Sequence, residues 1–196
     1  MTFIVSTVVG LMGSSQAAAL VGGFIPALVP NQAVAWAGPA IPAWLTPLTC
    51  TLLHGSVLHL LFNLGMLVYC GRETERALGS VGVLILYLVG AYAAAAGQWV
   101  QNPLSTVPTI GASGAIAAII AAYALLYGRN RVRAVGPLSA SFLHALWLGA
   151  AWTIINLLIN LAMLSPQPVA VGAHIGGFLA GLILTRPILL WRYRKA

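Results

Sequence analysis

Two residues in this 196-residue chain could form a nucleophile and its base. Ser113 stands in Gly111-Ala112-Ser113-Gly114-Ala115, and His174 in Ala173-His174-Ile175-Gly176-Gly177-Phe178-Leu179-Ala180-Gly181. A histidine that accepts the serine proton turns a weak hydroxyl into an acyl-transfer nucleophile. The serine follows a loop with Pro103 and Pro108 and opens an apolar helix. Unpaired N–H groups and a positive dipole end there suit a developing oxyanion. Read separately, the serine segment is also a small-residue packing motif. A lone histidine is also a donor to a neighbouring backbone.

A third element is His59 and Asn63, four residues apart and therefore on one helix face. Two side-chain donors converging on one point stabilise a tetrahedral oxyanion. The competing role is interhelical hydrogen bonding. A triad acid is missing. Glu73 and Glu75 are the only carboxylates, and both fall in a basic inner stretch, so a serine hydrolase here has to be a Ser113–His174 dyad. The remaining polar groups carry less. His54 is read as structural, His144 lies toward the other end of its span, and Asn156 and Asn160 share a face suited to packing. No His-Glu-x-x-His pattern exists, and neither a metal nor a cofactor is expected.

These residues need elements to hold them. The chain is 60% hydrophobic and 6% charged, against roughly a quarter charged in soluble domains. That excludes a water-facing globule and points to the bilayer. Six apolar segments fit as transmembrane helices: about 3–29, 54–71, 80–100, 113–128, 139–164 and 171–190. The expected fold is an all-α polytopic membrane protein, one six-helix domain over residues 1–196. The first segment is read as a helix and not as a signal peptide. It has no basic leader and exceeds an h-region of about 7–15 residues.

Charge placement tests the count. All nine basic and two acidic residues fall in Arg72–Arg76, Arg129–Arg133 and Arg186–Lys195. With an even number of spans, these stretches share one side with both termini. The connections 31–53, 101–112 and 165–170 carry no charge. Basic residues collect on the cytoplasmic side, so that side is inner. The net charge of +7 is therefore topological, and nucleic acid is not an expected partner. Cys50 and Cys70 fall on opposite sides and are read as packing residues. Ser113 lies ~24 Å of helix from Arg129, and His174 ~18–27 Å from Arg186 to Arg192. Against ~30 Å of hydrocarbon, both sit below the outer surface at matching heights.

This pattern resembles the rhomboid family of intramembrane serine proteases. The resemblance rests on His54-x4-His59-x3-Asn63, Gly111-Ala-Ser113-Gly114 and Ala173-His174-Ile-Gly-Gly177-x3-Gly181, with Glu75-Arg76-Ala-Leu78-Gly79-Ser80 after the second span. It covers about residues 44–185. It implies a water-filled cavity opening to the outer side and cleavage of single-pass membrane proteins in or near their transmembrane segments. By that correspondence Ser113 is nucleophile and His174 general base and acid. His59 and Asn63 join the Ser113 N–H in the oxyanion hole. Lateral substrate access is expected beside the fifth span, near Phe62 and Trp152. Two positions depart from the family's pattern. Trp44 is followed by Leu45 where many members have arginine, and Ala117 stands where many have an aromatic ring beside the histidine.

Two other readings compete. One is an inactive rhomboid-like protein that binds membrane clients, although both dyad residues are present. The other is a small transporter, for which the inner half offers no ionisable residue except His144. Compact length and the lack of an organelle presequence favour a bacterial inner membrane.

Overall fold

A computed structural model describes residues 15–29, 41–128, 133–161 and 170–194. They form six α-helices, and no strand is present among them: α1 (Ser15–Gly22), α2 (Thr46–Thr49), α3 (Val57–Gln101), α4 (Ser113–Tyr127), α5 (Ala140–Leu161) and α6 (Val171–Arg192). Helices α3, α5 and α6 are each long and apolar enough to cross a membrane. The chain is an all-α polytopic membrane protein. Of the expected first span, residues 3–14 lie outside the described residues. So do the Trp36 and Pro39 part of the first outer connection, Arg129 and most of 165–170.

The longest helix differs from expectation. The spans at 54–71 and 80–100 were to be joined by a connection at 72–79, yet α3 is helical through Leu78 and breaks only at Gly79, where φ is 76°. A left-handed residue reverses the chain without a loop, and glycine adopts it at least cost. The two arms, about 22 residues each, suit the hydrocarbon thickness. Polar partners close the turn. The Arg192 guanidinium donates to the Glu75 carbonyl at 3.1 Å, and the Tyr127 hydroxyl donates to the Glu73 carbonyl at 2.8 Å. These donors satisfy carbonyls at the end of the first arm and complement its dipole.

Helix α4 is the hub. Residues 113–122 are all buried, and Ile116, Ala117, Ala118 and Ile119 have no exposed surface. A helix apolar on every side belongs inside a bundle. The outer faces of its neighbours carry Leu61, Val68, Val81, Leu84, Trp147, Ile154 and Ile183, all exposed. That pattern suits contact with lipid chains, where exposed apolar groups cost nothing.

Small residues set the closeness of α3, α4 and α6. A Cβ on Gly177 would lie 1.9 Å from the Gly114 carbonyl oxygen, and one on Gly181 would lie 2.2 Å from that of Ala118. The second arm of α3 joins them: a Cβ on Gly97 would fall 2.2 Å from the Gly172 carbonyl oxygen, and one on Gly90 2.7 Å from the Ala118 Cβ. On α4, the residues that meet the α6 glycines are Gly114 and Ala118.

Candidate active site

Each candidate residue sits in the first turn or two of a helix, and each turn is held by a neighbour. His59 occupies the first turn of α3, where the Ser56 hydroxyl caps the helix by accepting from the His59 N–H at 3.1 Å. Asn63 follows one turn later and is 1% exposed. Ser113 is the first residue of α4, whose N-cap, Ala112, has no side-chain acceptor. The opening N–H groups of α4 are therefore left without a side-chain cap. Helix α6 also lacks a capping side chain of its own; instead Gln101, at the end of α3, accepts from the Gly172 N–H at 2.6 Å. This fixes the start of α6 two residues before His174.

The loop into Ser113 is tied on two sides. Phe24 and Thr109 exchange backbone hydrogen bonds of 3.0 and 2.8 Å, and the Gly111 N–H donates to the Cys50 carbonyl at 2.9 Å. Gly111 has φ 113°, and a Cβ there would be 2.7 Å from the His59 ring and 3.9 Å from Asn63 Nδ2. The glycine thus supplies the conformation and the space that bring His59 and Asn63 against the loop two residues before Ser113.

Ser113 Oγ and His174 Nε2 are 2.9 Å apart, although 61 residues separate them in sequence. The hydroxyl donates when Nε2 is the unprotonated nitrogen. Both side chains are buried, His174 at 3% exposure. On the far side of the ring, His174 Nδ1 has no hydrogen-bond partner among the described residues. The same is true of Asn63 Nδ2 and Oδ1 and of His59 Nδ1. Buried polar atoms without partners are rare, and a cluster around one hydrogen-bonded pair marks a place where a polar ligand or water completes the bonding.

The other candidates lie elsewhere. His144 packs against Gly128 at the opposite end of α4, ~22 Å of helix from Ser113. His54 meets the His59 ring edge-on, with centroids 5.0 Å apart. Asn156 turns back on its own helix, donating to the Trp152 carbonyl at 2.8 Å; the side chain of Asn160 lies outside the described residues. Cys50 and Cys70 are free and buried. Among the described residues no group of three His, Cys, Asp or Glu side chains could hold a metal. Two contributors were missed from the sequence. Gln101 shows no cap signature because it acts on a helix 71 residues away. Trp152 was marked only for substrate access, yet its ring is the one that pairs with His174, at 6.2 Å between centroids.

A family model described as the rhomboid domain matches residues 42–191. The chain belongs to the rhomboid family. Among curated rhomboids, it is 34% identical over 134 residues to the rhomboid protease GlpG of Haemophilus influenzae, covering 68% of this chain and 64% of that one. It is 32% identical over 162 residues to GlpG of an Enterobacter species, covering 78% and 52%. A plant relative, RHOMBOID-like protein 4 of Arabidopsis thaliana, is 29% identical over 150 residues, covering 73% and 34%. The chain thus spans from about a third to somewhat under two thirds of the length of these rhomboids.

Proposed function

We propose that this rhomboid is an intramembrane serine endopeptidase that cuts membrane proteins within or near a transmembrane segment, using a Ser113–His174 dyad. The observation that carries the reading is the 2.9 Å hydrogen bond between two buried side chains on different helices. Proteases named among its relatives support the reaction class. The whole of 1–196 is read as one six-span domain in a bacterial inner membrane, with both termini cytoplasmic and the site open to the outer side. Its substrates are single-pass proteins in the same bilayer.

His174 Nε2 takes the Ser113 proton as Oγ attacks the scissile carbonyl. The oxyanion forms at the start of α4, within reach of the Ser113 N–H and of the His59 and Asn63 side chains that lie against Gly111. These buried groups have partners to gain when the oxyanion forms, which stabilises the transition state over the ground state. His174 then protonates the leaving amine. A water molecule, deprotonated by the same nitrogen, attacks the acyl-ester carbon, and His174 returns the proton to Ser113 Oγ as the Oγ–acyl bond breaks and the carboxylic product leaves.

The test is cleavage of a reporter transmembrane substrate in liposomes by wild type, Ser113→Ala and His174→Ala. Cleavage by wild type alone, with all three folded, is the expected result. Equal cleavage by all three sinks the dyad. No cleavage by any of them leaves a rhomboid that binds membrane clients without cutting them.

A further inference from the structure

In a serine–histidine pair the imidazole has to be kept in one orientation, and a carboxylate on its second nitrogen is the usual means. Here His174 Nδ1 has no partner among the described residues. Ala117, one turn below Ser113, offers only a methyl group. Packing against a neighbouring ring is a further means of orienting the imidazole. The aromatic side chain against it is Trp152 of α5, 3% exposed, with ring centroids 6.2 Å apart and planes inclined at 48°. We propose that Trp152 is the positioning residue that holds the His174 imidazole toward Ser113. The proposal rests on the dyad reading above and adds to it the group that takes the place of the absent acid.

Trp152 is itself held in place. Its ring also stacks on Phe62 of α3, with centroids 5.2 Å apart and planes within 15°. The Asn156 side chain donates to its carbonyl, one turn on. One layer deeper, Phe178 of α6 fills the space left by Gly149 of α5, about 2.9 Å from where a Cβ would stand. Residues 149 and 152 of α5 thus face residues 178 and 174 of α6 in successive layers, as two antiparallel helices require. Packing against Phe62 sets the orientation of the indole ring. An aromatic pair of this kind favours one geometry by an amount equivalent to about threefold to tenfold.

The role is separable from any effect of Trp152 on substrate access. A small soluble fluorophosphonate phosphonylates an activated serine hydroxyl without a transmembrane segment having to pass between helices. Its second-order labelling rate is measured on the detergent-solubilised full chain. The variants are Ser113→Ala, His174→Ala, Trp152→Leu and Trp152→Phe. Trp152→Leu is expected to label three to ten times more slowly than wild type, and Trp152→Phe within twofold of it. With the transmembrane substrate, Trp152→Leu lowers kcat while KM holds. Should Trp152→Leu fail to fold, Trp152→Met is judged by the same criterion. If Ser113→Ala labels like wild type, the dyad reading falls and takes the proposal with it. If Ser113→Ala abolishes labelling but Trp152→Leu matches wild type, or Trp152→Phe is as slow as Trp152→Leu, only the positioning role is overturned.

Discussion

Gly177→Ala measures how far the dyad depends on the approach of two helix backbones. A Cβ at 177 would stand 1.9 Å from the Gly114 carbonyl oxygen, where at least 3.0 Å is needed. The obstacle is main chain in the first turn of α4, so no rotamer change relieves it. Helices α4 and α6 have to part by about 1.1 Å at that level. Ser113 lies one residue before Gly114 on one helix, and His174 three before Gly177 on the other. The shift therefore passes almost undiminished to the 2.9 Å hydrogen bond and opens it to about 4 Å, beyond proton-transfer reach. A misplacement of about 1 Å costs on the order of 10²-fold in rate. The control is Gly65→Ala, where a Cβ meets nothing within 4 Å and helix propensity improves. Cleavage of the reporter substrate in liposomes, normalised to folded protein, is expected to fall about a hundredfold for Gly177→Ala and to stay at the wild-type level for Gly65→Ala. Retention of a third or more of the wild-type rate by Gly177→Ala would refute the reasoning, because it would mean that the helices can separate without opening the pair.

Asn63→Leu is expected to stabilise the fold while lowering kcat by roughly 10²–10³-fold, since it removes an unsatisfied buried amide and an oxyanion donor together. Thermal melting and steady-state cleavage read the two effects, and a less stable protein would show that the amide has a structural partner. Gln101→Ala removes the acceptor at the start of α6 and is expected to cost about 1 kcal/mol in mixed-micelle unfolding, with Gln101→Glu close to wild type. Gly79→Ala puts a side chain at φ 76° and crowds the Arg192 guanidinium at 3.0 Å. It is expected to cost roughly 1–2 kcal/mol in the same assay with the cleavage rate per folded molecule intact, and an unchanged unfolding midpoint contradicts that.

What could be read in advance follows from how a bilayer treats different groups. Polar atoms are expensive there, so the few that persist, His59, Asn63, Ser113 and His174 among them, stand out, and Ser113 and His174 could be matched by height. Charges stay out, so Arg72, Arg76, Arg186 and Arg192 marked one side. Apolar residues carry no such label. In water, a hydrophobic stripe says which face of a helix is inside; in lipid, both faces are apolar, and α4 presents Ala, Ile and Leu all round. Polarity therefore does not mark Gly114 and Ala118 as the α4 residues that meet the α6 glycines. The same indifference hid Trp152, whose indole serves equally as a lipid-facing anchor or as a wall of the site; only its placement 6.2 Å from His174 separates the two. Residues 72–78 were read as connection because they carry four charges, yet they are helical. A charged helix end can project beyond the hydrocarbon while the Arg192 and Tyr127 donors bind its carbonyls, so charge marks where the apolar core stops and not where the helix does. It follows that matching heights can assemble a candidate site from sequence, whereas the facing of each helix, and with it the 2.9 Å approach, depends on which small residues meet: Gly177 with Gly114, and Gly181 with Ala118.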